Sequence, residues 1–130
     1  MSLEFSNTPE VHAPLGTYSH VVKTPPNAGL VYISGQVPVR QDGTWPKSFA
    51  EQADQVFANL AAHLAAEGLS PSDVIKVNSY IVDHEGDPGA LLRARTKHFG
   101  DHLPAATGIL IAGLINPEWK LEAEVIAIRR

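Results

Sequence analysis

Between Ser48 and Gly68 the apolar residues fall on a single helical stripe. Phe49, Ala53, Val56, Phe57, Leu60 and Leu64 recur in steps of three and four. The ends of that helix are also marked. Ser48-Phe49-Ala50-Glu51 has the form of a capping box, in which a serine oxygen takes an orphan N–H and a glutamate reaches back. Gly68 stands where a glycine closes a helix. A helix with one apolar face must lay it on a second layer, and the flanking segments read as strands. Thr17–Thr24 is β-branched and aromatic and stops at the turn signal Pro25-Pro26-Asn27. Leu30–Val39 follows, and Gly35 inside it marks a bulge or a close approach to the backbone. Asp42-Gly43 makes a tight turn.

After the helix, Val74–Asp83 reads as a long strand with Ile75, Val77, Ser79 and Ile81 on one face. A second helix is expected over Ala90–Phe99, with Pro88 near its first turn and Gly100 ending it. Thr107–Leu114 is apolar at nearly every position, so it is expected to be covered on both faces. Lys120–Arg129 sends Leu121, Ala123, Val125 and Ala127 to one side and Glu122, Glu124, Ile126 and Ile128 to the other. The order is β-β-α-β-α-β-β, one domain over residues 1–130, an α+β fold with both helices on one face of a sheet. The other sheet face still carries apolar residues, and a second copy of the chain is the simplest cover for it.

Composition narrows the function. The 130 residues suffice for one core, with about two-thirds of the unfolded surface buried. Ten Lys+Arg against fourteen Asp+Glu leave a net charge of −4, which argues against gripping a nucleic-acid backbone. There is no cysteine, so disulfide scaffolds, thiolate metal sites and cysteine nucleophiles are excluded. Met1–Pro14 does not read as a signal peptide, and even the most apolar run, Ile109–Ile115, is too short to span a bilayer. A cytoplasmic protein without membrane contact is expected.

The chemical candidates are few. His98 and His102 are four apart, but Gly100 breaks the helix between them and no third ligand is placed; no metal site is expected. Asp83-His84-Glu85 and Asp87 lack the regular oxygen offsets of a calcium loop and read as a solvated loop and helix cap. Ser19, Ser34 and Ser79 sit in no nucleophile elbow, and Gly35 and Gly108 are isolated rather than part of a phosphate loop, so no cofactor is expected. Glu122 and Glu124 point to one side of a strand. They form either a charged outer face or a carboxylate in an apolar cleft, where desolvation suits it to handling a proton or a water.

Several stretches, in order along nearly the whole chain, resemble the Rid family, the YjgF-like reactive-intermediate or imine deaminases. They are Leu15-Gly16-Thr17-Tyr18-Ser19-His20, Val31–Pro38 with its Ser34-Gly35-Gln36, Glu51–Leu60, Leu69–Lys76, Leu103-Pro104-Ala105-Ala106-Thr107, and Lys120–Ala127 with its Glu122-Ala123-Glu124. The resemblance implies a chorismate-mutase-like fold and a homotrimer whose sheets form a central barrel, with clefts at the subunit interfaces. It also implies hydrolysis of 2-imino or enamine acids to 2-oxo acids and ammonia. By that resemblance Tyr18 and Glu122 are catalytic, placing the attacking water, while Ser34, Gly35, Ala106, Thr107 and Gly108 border the small-molecule substrate.

The chain departs from the family pattern at one telling place. Ala106 stands where the deaminase branch has the arginine that grips the substrate carboxylate, and an alanine offers neither charge nor hydrogen bond. Arg93, on the second helix, is a candidate replacement; its other reading is a solvent-facing residue paired with Asp87 or left free. Two functions stay open. One is a hydrolase or deaminase of small imine, enamine or related metabolites that is not a standard 2-imino acid deaminase. The other is a non-catalytic trimeric small-molecule-binding protein. Some members carry a ribonuclease label, against which the negative charge and the lack of a basic stripe both speak.

Overall fold

The computed structural model describes residues 3–10, 13–14 and 17–130. Leu15 and Gly16, which open the first family-like stretch, lie outside them. The elements run β1 (Glu4–Ser6), β2 (Val21–Lys23), β3 (Gly29–Gln36), α1 (Phe49–Ala66), a 3-10 turn (Pro71–Asp73), β4 (Val74–Ile81), α2 (Gly89–Phe99), β5 (Ala105–Leu110) and β6 (Leu121–Arg129). Strands β3, β6, β4 and β5 form one mixed sheet in that spatial order, and β1 and β2 pair as a separate antiparallel ribbon. The β4–α2–β5 passage gives the one parallel pair among the described residues, because parallel neighbours need a crossover rather than a hairpin.

The stripe of α1 forms the core. Phe49, Val56, Phe57, Leu60 and Leu64 are buried against Leu121, Ala123, Val125 and Ala127 of β6. Each such aliphatic or aromatic side chain contributes about 1.5–3 kcal/mol on leaving water. Phe57 meets Phe99 of α2 edge-to-face, with ring centroids 5.4 Å apart, which joins the two helices over the sheet. At the start of α1 the Ser48 hydroxyl accepts from the Glu51 N–H at 3.2 Å, and it donates to the Glu51 carboxylate at 2.8 Å.

Several expectations are corrected. The run from Thr107 is not covered on both faces. β5 is an edge strand starting at Ala105, and Ile109 and Leu110 are 45% and 69% exposed because the two helices cover only part of the sheet. Ile75 does not share a face with Val77, Ser79 and Ile81: the register with β6 slips between Val74 and Lys76, and Val74 takes the core position. Ile128 lies with Ile126 on the side opposite Ala127, as its alternation predicts, and is fully buried there. The first expected strand shrinks to Val21–Lys23, and its partner Glu4–Ser6 is an added strand.

Beyond its core-facing side, the sheet presents a second surface. Leu30 and Tyr32 of β3, Ile126 of β6 and Ile109 of β5 lie on it by register, with Tyr32 70% exposed. No helix among the described residues is long and apolar enough to cross a membrane.

Candidate functional site

Two clusters gather most of the residues the sequence singles out. The first lies where β3 bends. Its ladder with β6 is continuous from Gly29 to Ile33 and resumes at Gln36, so Ser34 and Gly35 occupy a register break. There the Glu122 side chain lies across Gly35: a β-carbon on that glycine would stand 2.0 Å from Glu122 Oε2. Gly35 is therefore both of the things its position suggested, an irregularity in the strand and a place of close approach. Ser34 is exposed, and its carbonyl accepts from Gln36 Nε2 at 3.1 Å.

The two carboxylates of β6 differ. Glu124 accepts a hydrogen bond from the Tyr80 hydroxyl at 2.6 Å, an interaction that raises the phenol's pKa above its ordinary value. Glu122 receives no hydrogen bond from any described residue. Of the pair, Glu122 keeps its oxygens available for a ligand or a water.

The second cluster lies at the other edge of the sheet. Ser19 is buried there; its N–H donates to the Pro104 carbonyl at 3.2 Å and its hydroxyl to the Leu103 carbonyl at 2.7 Å. These bonds hold the N-terminal segment along the entry to β5. In the parallel ladder Ala106 pairs with Val77 and Gly108 with Ser79, so both lie on the helix side of β5. Thr17 and Tyr18, Ala106 and Gly108, and Pro88, Leu91, Leu92 and Arg95 wall a cavity of about 330 Å³. Tyr18 stacks edge-to-face on His20, with ring centroids 5.5 Å apart.

Thr107 points the opposite way, where its hydroxyl accepts from Lys76 Nζ at 2.8 Å. Arg93 is also elsewhere. It is exposed and pairs with Asp87 at 2.5 Å, which is the second of its two readings. The arginine at the cavity is Arg95, whose Nη2 donates to the Thr17 carbonyl and whose guanidinium pKa is lowered by burial. Sequence reasoning missed it, although Leu91 and Arg95 stand one helical turn apart and so share a face.

The two clusters do not meet within one chain. β6 and β5 are separated by β4, about 10 Å from strand to strand, and Glu122 and Ala106 lie on opposite faces of the sheet. The remaining histidines with chemical promise are engaged. His98 Nε2 is 2.9 Å from Asp54 Oδ1, and His102 Nε2 is 2.6 Å from the Val74 carbonyl. Among the described residues no group of three His, Asp or Glu side chains is placed to hold a metal ion.

Comparison with known proteins agrees with this geometry. The family described as Endoribonuclease L-PSP matches residues 8–129. Protein MMF1, mitochondrial, of Saccharomyces cerevisiae is 34% identical over 116 residues, 88% of this chain and 76% of that protein. A Dermatophagoides farinae protein named 2-iminobutanoate/2-iminopropanoate deaminase is 32% identical over 110 residues, 83% of each chain. In structure, the Rid family protein YyfB of Yersinia pestis, of unknown function, superposes with a TM-score of 0.84 at 25% identity over 99% of this chain and 100% of that one. The chain belongs to the Endoribonuclease L-PSP family, the Rid family of YjgF-like proteins.

Proposed function

We propose that this Rid-family chain, as one domain over residues 1–130, hydrolyses small imines or enamines in clefts between the subunits of a homotrimer. The observation that carries the reading is the Glu122 carboxylate, laid over Gly35 and taken by no donor among the described residues. A carboxylate so placed can orient a water and take its proton as the oxygen attacks the imine carbon. Addition across C=N gives a carbinolamine. Proton transfer to nitrogen then releases ammonia and leaves the carbonyl product, so one water is consumed for each C=N broken. Tyr18 contacts the ligand in this reading, and backbone N–H groups at Gly35 and Gly108 stabilise developing negative charge.

The trimer belongs to the same reading. Glu122 and Tyr18 lie in separate clusters of one chain, and the row of Leu30, Tyr32, Ile126 and Ile109 is an uncovered apolar face. A neighbouring copy can cover that face and bring one chain's Glu122 to another's cavity. The relative named an imine deaminase supports the reaction class. Ala106 favours the second reading, a trimeric binding protein without chemistry, because it gives the strand no charge with which to hold an imino acid.

A coupled assay over imines generated in situ from amino acids decides between them. Ammonia release above buffer that disappears in Glu122→Ala is expected. No rate above buffer for any imine, together with activity gained in Ala106→Arg, overturns hydrolysis and leaves the binding protein.

A further inference from the structure

The four-stranded sheet has two open edges, β3 on one side and β5 on the other. Its uncovered face is not uniformly apolar. By register, a polar band crosses it: Glu122 and Glu124 of β6, Lys76, Asn78 and Tyr80 of β4, and Thr107 of β5. Tyr80 and Glu124 satisfy each other at 2.6 Å. Lys76 and Glu122 find no counter-charge. The other four lysines, Lys23, Lys47, Lys97 and Lys120, each stand within salt-bridge distance of a carboxylate. Lys76 reaches only the Thr107 hydroxyl among the described residues, and Glu122 receives no hydrogen bond from any of them.

The two side chains lean apart. Lys76 extends to Thr107 on β5, whereas Glu122 extends across Gly35 on β3. The face therefore carries a cation toward one open edge and a carboxylate toward the other. Water satisfies both in a lone chain. Covering the face removes that water, and a buried charge without a partner is destabilising. One arrangement meets both needs with a single repeated contact. The β5 edge of one copy stands beside the β3 edge of the next, cation to carboxylate, until the ring closes.

We propose that copies of this chain join head to tail through this face, with the Lys76 ammonium of one copy paired to the Glu122 carboxylate of the next. The inference rests on the assembly proposed above and adds which charges meet in it. A carboxylate has two oxygens, so one takes the ammonium while the other stays open to a water. Lys76 then borders the site that Glu122 serves, and that site is incomplete in a single chain.

Zero-length cross-linking of the full chain with a water-soluble carbodiimide tests the contact, because it joins an amine to a carboxylate only where the two touch. Wild-type protein is expected to give covalently linked chains, in which peptide mass analysis finds an amide between Lys76 and Glu122. A mixture of isotope-labelled and unlabelled chains shows that the bond runs between copies. Lys76→Arg keeps the charge but offers no amine to acylate, so it should keep the assembled mass and lose the cross-link. Lys76→Glu should raise the concentration at which half the chains are assembled about a hundredfold or more. Adding Glu122→Lys to that variant should recover at least tenfold of the loss. If Lys76→Glu does not fold, the comparison with Lys76→Arg still decides. An assembled wild-type protein whose Lys76 links within its own chain, or to nothing, overturns the pair and leaves the trimer standing. A wild-type protein of monomeric mass overturns the trimer and the pair together. The cross-link between copies in a protein that turns over no imine supports the pair and sinks the hydrolase reading alone.

Discussion

The Glu122 carboxylate lies against the backbone of Gly35, so close that a methyl group on the glycine would stand 2.0 Å from Oε2 and 2.8 Å from the carboxyl carbon. The atoms that must give way belong to a flexible side chain rather than to backbone. Gly35→Ala is therefore expected to fold with a nearly unchanged melting temperature while displacing Glu122. If Glu122 handles the attacking water, turnover should fall on the order of 100-fold or more, as for Glu122→Ala. Thermal unfolding and the coupled imine assay on the same preparation check both halves. Full activity in a folded Gly35→Ala protein removes Glu122 from the chemistry.

The parts of the fold legible in the sequence were those fixed by local periodicity. The α1 stripe and the alternation of Leu121, Ala123, Val125 and Ala127 could be read because one helix and one strand each bury one regular face. What could not be read was set across the chain. Glu85 accepts from the Phe49 N–H at 2.9 Å, so a loop residue 36 positions away caps α1. Nothing in the Asp83–Asp87 run announces that partner. The pairing of Glu4–Ser6 with Val21–Lys23 was hidden for another reason, since three residues are too few for a period.

The candidate site divides the same way. Gly35 was legible because a glycine inside a strand has few explanations. The choice between Glu122 and Glu124 rests in the sequence on the family resemblance alone, because the physical distinction turns on Tyr80, which claims one of them from the neighbouring strand. Arg93 and Arg95 are two apart on α2 and so point in widely different directions. Which one meets the cavity depends on how the helix is rolled against the sheet. Asp87 on one side, and the pinned Thr17 carbonyl on the other, identify the answer.

Gln52 is completely buried in α1 and satisfies three backbone groups. Its Nε2 donates to the carbonyls of Pro46 and Glu118 at 3.0 Å each, and its Oε1 accepts from the Lys120 N–H at 2.7 Å. The amide thus staples α1 to the segment that leads into β6. Gln52→Leu is close in volume but leaves all three groups without a partner. A loss of about 2–4 kcal/mol is expected, at 1–3 kcal/mol per stranded polar group with partial recovery by water. Urea unfolding measures it, and a variant within 0.5 kcal/mol of wild type would show that solvent reaches these groups freely.

Asp54 holds α1 to α2. Its Oδ1 is 2.9 Å from Lys97 Nζ and 2.9 Å from His98 Nε2, and the hydrogen bond from Lys97 is the main reason its carboxyl is held below the ordinary aspartate value. A carboxyl depressed in the folded state stabilises the fold above its unfolded pKa, and that stabilisation is lost as pH falls through the folded value. The contribution of this carboxyl to the difference between wild type and Asp54→Asn should therefore shrink as pH falls below about pH 4. The pair is partly exposed and screened, so the plateau is expected near 0.5 kcal/mol. Urea titrations between pH 7 and pH 3 give the comparison. A difference that grows between pH 4 and pH 3 would assign the opposite sign to this carboxyl.

Tyr32 tests the assembly. It lies across from Ile126 in the β3–β6 ladder and is 70% exposed, on the sheet face that no helix covers. Within one chain the side chain packs against little, so Tyr32→Glu should leave the fold's own stability nearly unchanged. In a trimer with its sheets turned inward, the same carboxylate is drawn out of water without a counter-charge, which costs several kcal/mol for each copy. Light scattering at micromolar concentration should give wild-type protein three times the mass of the 14.0 kDa chain. Tyr32→Glu should fall to the mass of one chain and lose imine turnover with it, because Glu122 then has no neighbouring cavity to serve. A wild-type protein of monomeric mass, or a Tyr32→Glu protein that stays trimeric, means that this face is not where the copies meet.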